Sequence, residues 1–573
     1  MSQRKTYEKV CYSSFDGIDV RNSYSGEKNI FDIVNFRISE TGALVKRKGF
    51  EPISNYSSGS EISAVWGGIL NGIYACYYIV ENTLYKLDIS RKYSSYVGSL
   101  PYGSQNQKFF FFKDSLYVYC SSGFFKVSEN SLAAVLGYVP LYGKEWGTGL
   151  AGEINEPLNI INGYARISYV VPQSYSTTLA TGRPVKSVLA VYKNGTLLSS
   201  DKYSADPITY GIAVPGIKTG DKLLVTYEFY LDEEKQQLFN NTQLDVFGGI
   251  NNCRLFLWGC NNKNLMYATS FVEKEDLQES ERLFADKSAL YFPLGKEFTV
   301  GDGRYAIKAI SRHYDRLLIF TQGDTWMADA ADCARDIIPV MNINSSIGCS
   351  SDMGVSTAFN DPVTIWQNDI YRWNSDTDEL NECNAYSIAN KLDTWLPSNF
   401  FKNGKVFKDI YRNELWFYIP NSNSDIFIYN VSKKAWVRFS GISASMFFDA
   451  DGDVGFCRNE YIYKFSNSYC DTSSSSISNI DASLTIKNLN FGSTQKKKLS
   501  KLIVHGESDY GQINMTFIPD DCARESISFM QDAEHSQKEI RLHSNRFRIL
   551  KEVRLSASGN ERQTIRNLEL YVR

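Results

Sequence analysis

Histidine is almost missing from this 573-residue chain, which carries four: His313, His505, His535 and His543. None falls in a His-Glu-x-x-His or His-x-x-Glu-His spacing, which excludes the usual helical zinc-hydrolase site. The eleven cysteines are scattered without one Cys-x-x-Cys pair, so neither a zinc ribbon nor a dithiol redox motif is written here. Their density is far below that of a disulfide scaffold and their number is odd. They are expected to be reduced core thiols of a protein made in a reducing cytosol. No run approaches the ~18 apolar residues of a membrane span, and the opening residues lack the apolar core of a secretory signal. A membrane is therefore not expected among the partners. Charge of one sign is also lacking: 61 Lys and Arg against 64 Asp and Glu leave a net charge of −3. A chain built to grip a duplex is usually basic, so bulk nucleic-acid binding is disfavoured. Gly-x-Ser-x-Gly and the phosphate-binding Gly-x-x-x-x-Gly-Lys-Ser/Thr loop are both absent.

What the chain has is aromatic residues, 37 Tyr and 34 Phe, which suit half-buried pleated surfaces. The fold class expected is all-β. One unit recurs from about residue 60 to 470: an Asn or Asp turn followed by a short apolar-aromatic strand. It occurs at residues 81–87, 113–119, 252–258, 314–320, 368–373, 412–419 and 458–465. Short antiparallel units repeated at such intervals are the signature of propeller blades, which must stack to bury their faces. The expectation is a β-propeller of six or seven blades, with the first blades in 56–146 and the rest in 236–470. A large β-sandwich or open meander is the competing architecture.

The gap between these blocks, 147–235, reads as an inserted β-sandwich domain. Its strongest signal is Asn194-Gly195 between alternating apolar strands, because both positions of a two-residue hairpin turn need φ > 0. After a Ser-rich stretch, 471–573 reads as a C-terminal β-domain. It carries a basic run, Lys496, Lys497 and Lys498 with Lys501, a possible docking patch for an acidic partner or passing DNA. Asp449, Asp451 and Asp453 with Glu460 imitate a calcium loop, but Val454 stands where such loops want Gly, so a hairpin tip is expected. A glycosidase would need two carboxylates at fixed separation. Asp315, Asp369 and Glu414 sit at the repeated turn position, where Asn also occurs. Asn replaces Asp in a turn but not in proton transfer, so no enzyme, cofactor or metal is expected.

The first 55 residues are too polar for a core of their own and read as an N-terminal arm. Asn35, a Gly turn at Gly42, and a basic run with Arg47 closing on Gly49 resemble the arm of the tail nozzle (tail tubular protein B) family of short-tailed bacteriophages and its head-completion relatives. Lys48 stands where that family often has Pro. The order of arm, propeller, insertion and C-terminal β-domain extends the resemblance over nearly the whole chain. It implies a virion structural protein, made in the host cytoplasm. Its copies would form a ring, expected to be a hexamer, that extends the ejection channel, retains the packaged genome and anchors tail fibres. The partners implied are a second copy, the tail adaptor or tail tube protein, tail fibres, and genomic DNA in transient contact. Asn35, Gly42, Arg47 and Gly49 are then expected in an assembly arm, strapped to the propeller or to a neighbouring subunit. A receptor- or glycan-binding propeller at the tail tip is the alternative.

Overall fold

The computed structural model describes the chain apart from residues 1–7, 22–29, 55–58, 150–151, 176–177, 207–210, 249–252, 272–289, 331–337, 375–383, 393–394, 509–510, 521–522, 532–536, 543 and 545. His535, His543, Cys333, Cys383 and Cys522 lie outside the described residues, as does the start of the unit expected at 252. The described cysteines are all free, and Cys76, Cys120, Cys253, Cys349 and Cys457 are buried.

Strands dominate, as expected for an all-β chain. Among the described residues there are seven four-strand units of blade type, six of them separate sheets and one the first part of a nine-stranded sheet; in all but the last along the chain, strands pair with their neighbours in sequence. They occupy residues 62–99, 108–134, 243–299, 307–344, 355–387, 405–439, and 446–465 together with Phe50–Pro52. The second strand of these sheets is the apolar one. Arg254–Trp258 and Glu414–Tyr418 are buried along their whole length, and so are most of Ser115–Cys120 and Arg316–Thr321. A strand covered on both faces reads as a continuous apolar run rather than an alternating one, which is why Leu-Phe-Leu-Trp and Leu-Trp-Phe-Tyr appear in the sequence.

Contacts divide the chain into two units: Met1–Glu81, Tyr85–Tyr96 and Ile347–Arg573, and Asn82–Leu84 with Val97–Ser346. Within the first, the leading strands of successive sheets adjoin one another: Val355–Ala358 and Lys405–Asp409, then Met446–Asp449, then Ile62–Leu70. Within the second, Lys108–Phe112, Gln243–Phe247 and Ile307–His313 follow in the same manner. Each unit thus holds an arc of consecutive blades.

The second unit also holds the insertion. It begins at Leu141, before the expected 147, and comprises a five-stranded and a three-stranded sheet around its own core, which includes Trp146, Tyr169, Val191 and Tyr227. Asn194 and Gly195 have φ of 51° and 83°, the hairpin geometry expected. Asn194 Nδ2 and the Lys218 backbone N–H both donate to the Asp221 carboxylate, at 2.9 and 2.7 Å. These bonds, with the Lys193 ammonium, hold that carboxyl down at about 2.

The first unit departs most from expectation. The C-terminal sandwich is built from both ends of the chain. One of its sheets places Asp32–Val34 beside Ala482–Leu489, and through a parallel pairing of Val34 with Arg438 it continues the sixth blade into a nine-stranded sheet. The other places Leu44–Lys46 and Glu8–Tyr12 on Gln563–Val572. Phe50–Pro52 then completes the seventh blade, antiparallel to Tyr461–Phe465. Residues 1–55 are therefore not a strap laid on a finished fold, and the domain at 471–573 is not separate from them. The polar arm gains its core by contributing strands to sheets whose apolar faces come from elsewhere: Ile33, Phe36 and Leu44 share one cluster with Leu484, Leu555, Leu568 and Trp416.

Candidate functional site

Three of the four arm residues meet around one buried ion pair. Asn35 adopts φ 54°, a left-handed conformation that Asn tolerates better than most residues. This aims its amide into the space between the sixth blade and the sandwich. Oδ1 accepts from the Ser440 N–H and Arg47 Nε, each at 2.9 Å, and Nδ2 donates to Ser440 Oγ at 2.9 Å and to the Asp481 carbonyl at 2.7 Å. Arg47, 1% exposed, forks onto Asp471 at 2.7 and 2.6 Å. Its remaining protons go to the carbonyls of Lys48 and Ser440 at 3.1 and 3.2 Å. All five guanidinium donors are thereby used, the condition under which a buried charge is tolerated. Gly49 follows because nothing larger fits. A Cβ there would lie 1.8 Å from the Cys470 carbonyl oxygen, while the Gly49 backbone bonds Ser466 and Ser468, each at 2.8 Å. Gly42, at φ 82°, closes the hairpin between Phe36–Ile38 and Leu44–Lys46.

This constellation is an internal lock joining the start of the chain to residues 440–481. Asp471 and Ser440, essential to it, were missed in the sequence because Asp471 opens what reads as a polar linker. Beside the lock, Lys46 is 1% exposed and donates to the Gly559 carbonyl. Burial pushes its amine down to about 8, against the partial support of nearby carboxylates. The unfolded chain binds this proton more tightly than the native one, so charging Lys46 opposes folding below about pH 8, and the opposition fades towards the ordinary lysine value of 10.5. Lys46→Met is expected to raise stability in denaturant melts at pH 7, with the advantage shrinking as pH climbs from 8 to 10.5.

The carboxylates considered for glycosidase chemistry each have a local setting of their own. Glu414 pairs with Arg37 and accepts from Trp416 Nε1 at 3.1 Å, Asp369 accepts from the Ile370 N–H at 2.7 Å, and Asp315 is exposed in a turn. Residues 449–454 form a hairpin between Met446–Asp449 and Val454–Arg458. Among the described residues no group of three His, Cys, Asp or Glu is placed to hold a metal.

Lys497 does not belong to the patch expected of the basic run. Successive residues of an extended chain point to opposite faces, so Lys496 and Lys498 are exposed while Lys497 is 5% exposed. Its amine donates to the carbonyls of Asn490, Ser493 and Arg548 at 2.7, 2.5 and 3.3 Å, and burial lowers its pKa. Lys497 is a structural residue.

A surface the sequence did not announce lies on the first unit. Each blade's first hairpin ends in a turn, and side-chain bonds tie four of these ends together. The Lys408 amine donates to Thr357 Oγ1 at 2.9 Å, the Tyr411 hydroxyl to Asp449 Oδ2 at 2.8 Å, Arg412 to Asp453 at 2.7 Å, and the Tyr74 hydroxyl to the Asp449 carbonyl at 2.7 Å. Along this edge large apolar side chains stand in solvent: Phe359 58%, Ile410 63%, Tyr411 54%, Ile69 62% and Ile73 73% exposed. Isolated exposed apolar residues are ordinary; here five stand near hairpin ends that side-chain bonds tie together, with Ile69 and Ile73 on opposite faces of theirs. A polar pocket of about 360 Å³ opens elsewhere on this unit, between Arg458, Asn459, Tyr461, Tyr463 and the Ser473–Ser476 turn.

No family model and no curated protein matches this chain. Solved structures similar to it include the AfRom2 CNH domain, at 6% identity and a TM-score of 0.36 over 73% of this chain and 99% of that one. An exo-β-1,3-galactanase from Phanerochaete chrysosporium is similar at 10% identity and TM-score 0.17, over 82% and 96% of the two chains. An arabinoxylan arabinofuranohydrolase from Bacillus subtilis is similar at 9% identity and TM-score 0.18, over 57% and 78%. These alignments are too loose in space to carry topology or activity across.

Proposed function

We propose that this protein is a virion structural component, a tail nozzle whose copies assemble through the hairpin edge into a ring. The observation carrying the reading is the set of exposed apolar residues Phe359, Ile410, Tyr411, Ile69 and Ile73 near hairpin ends cross-tied by hydrogen bonds. Such a set gains free energy on burial, while the ties keep its backbone from paying an ordering cost on docking. The occupant is a second copy of the same chain. Closed homo-oligomers with cyclic symmetry are the common solution for a surface that recurs once per subunit. The resemblance of the arm and of the domain order to tail nozzles supports the rest of the reading: a ring that extends the ejection channel from the adaptor, retains the genome and anchors fibres. A net charge of −3 suits a wall past which DNA slides, since each phosphate ion pair would act as a brake. The activity is mechanical, not enzymatic, and the location is the virion.

The test is assembly. Ile69→Ser with Ile73→Ser and Ile410→Ser is expected to leave thermal melting nearly unchanged, because these side chains are exposed in the single chain, and to abolish rings in negative-stain images and sedimentation. Rings that persist in the triple variant, or wild-type protein that stays monomeric even with its tail partners present, would refute the reading. The second reading, glycan binding at the tail tip, draws support from the polar pocket beside Tyr461 and Arg458, since sugars favour an aromatic wall with polar neighbours. Binding on a glycan array that is lost in Tyr461→Ala would favour it.

A further inference from the structure

Cations far apart in sequence share one open face of the sandwich. In register, Lys9 stands opposite Tyr571, Tyr571 opposite Lys501, and Lys501 opposite Arg541. Directly opposed residues lie on the same face of a sheet, so four strands contribute a single row. One step along, Lys498 and Arg573 exchange both backbone hydrogen bonds, at 2.8 and 3.0 Å, and both side chains are exposed. The bulge between Leu499 and Lys501 brings Lys498 and Lys501 to this face together, because it inserts Ser500 and shifts the alternation by one. A cleft of about 510 Å³ lies here, with Leu542 and Tyr571 in its lining, Lys501, Arg541 and Arg573 around them, and Glu539 also at its wall, 3.5 Å from the Lys501 ammonium.

We propose that this face docks an extended acidic segment of a protein partner, whose carboxylates seat on Lys498, Lys501, Arg541 and Arg573. The proposal stands whether or not the nozzle reading holds. The strand Gln537–Arg541 is the last of its sheet in the described residues, so an added strand can pair with its outer edge. Two features favour a peptide over nucleic acid. Glu569 and Glu539 stand in the next row, both opposite Ile503. An unbroken phosphate backbone would run onto them, whereas a peptide places its charges singly. The Tyr571 ring is also engaged already: the Lys501 and Lys9 ammoniums approach it at 4.4 and 5.9 Å from its two flanking strands, and its hydroxyl donates to Glu569 at 2.5 Å. It offers no free platform for a base.

Fluorescence anisotropy with a labelled peptide whose Glu residues are separated by Ser and Gly, and with a labelled single-stranded oligonucleotide, each titrated with the full-length protein at low and high salt, tests this. The peptide is expected to bind at low salt and to release as salt screens the face. Lys501→Glu with Arg541→Glu should weaken it at least about tenfold, while Lys126→Glu with Lys405→Glu, exposed cations elsewhere, should not. Melting curves verify that the variants fold, and Lys498→Glu with Arg573→Glu gives a second pair should the first not fold. Peptide binding indifferent to both reversals, or absent at low salt, overturns the proposal. So does oligonucleotide binding that is tighter than the peptide's and lost in the same variants, which would make the face a nucleic-acid surface.

Discussion

Arg47→Ala is expected to cost about 3–5 kcal/mol in denaturant unfolding, the penalty for stranding one half of a buried ion pair. The side chain is 1% exposed and places all its donors on Asp471, Asn35, Ser440 and Lys48. Removing it leaves the Asp471 carboxylate, two carbonyls and the Asn35 amide oxygen short of partners. Arg47→Lys should recover little, because an ammonium cannot reproduce the fork onto both Asp471 oxygens. Asp471→Asn should lose nearly as much as Arg47→Ala. The double replacement Arg47→Met with Asp471→Leu should lose markedly less than the sum of the single changes, since the charges depart together. Additive losses would mean that the two side chains do not act on each other.

The same residues show what a sequence yields and what it withholds. Asn35, Arg47 and Gly49 were picked out together by resemblance, but the role expected of them was that of an assembly arm strapped to the propeller or to a neighbouring subunit. Nothing local marks Arg47 as the partner of a residue 424 positions away, and a polar segment with no apolar period of its own reads as an arm. Only the pairing of its short strands with Ala482–Leu489, Gln563–Val572 and Tyr461–Phe465 gives it a core. The basic run was legible, but three consecutive lysines on an extended chain cannot share a face: Lys497 turned inward, while Lys498 and Lys501 stand on the open face of the sandwich.

The repeated aromatic unit was legible in kind but not in position. Its seven occurrences fall one to each sheet, yet residues 314–320 and 412–419 contain the second strands of their blades, and 368–373 and 458–465 the third. Both turns of a blade use the same Asn or Asp chemistry, with left-handed φ at Asn413 and Asn459. Turn and strand chemistry are local and so were readable; the closing strand Phe50–Pro52 and the apolar hairpin edge depend on which strands become neighbours.

The larger expected effect belongs to the whole segment. Deleting residues 1–52 removes four strands from the sandwich and its continuation into the sixth blade, the closing strand from the seventh blade, and both Asn35 and Arg47 from the lock. Leu484, Leu555, Leu568 and the other apolar side chains they cover would then face water, and Asp471 would be left without its cation. Losses of this size exceed the ~5–15 kcal/mol that typically separates a folded domain from its unfolded chain. The decisive measurement is the thermal unfolding of this truncated protein beside the full-length one. If the segment is part of the fold, the truncated chain shows no cooperative transition for the unit that contains the sandwich. A truncated protein that melts like the full-length chain, and fails only to form rings, would return residues 1–52 to the role of an assembly arm and contradict the account.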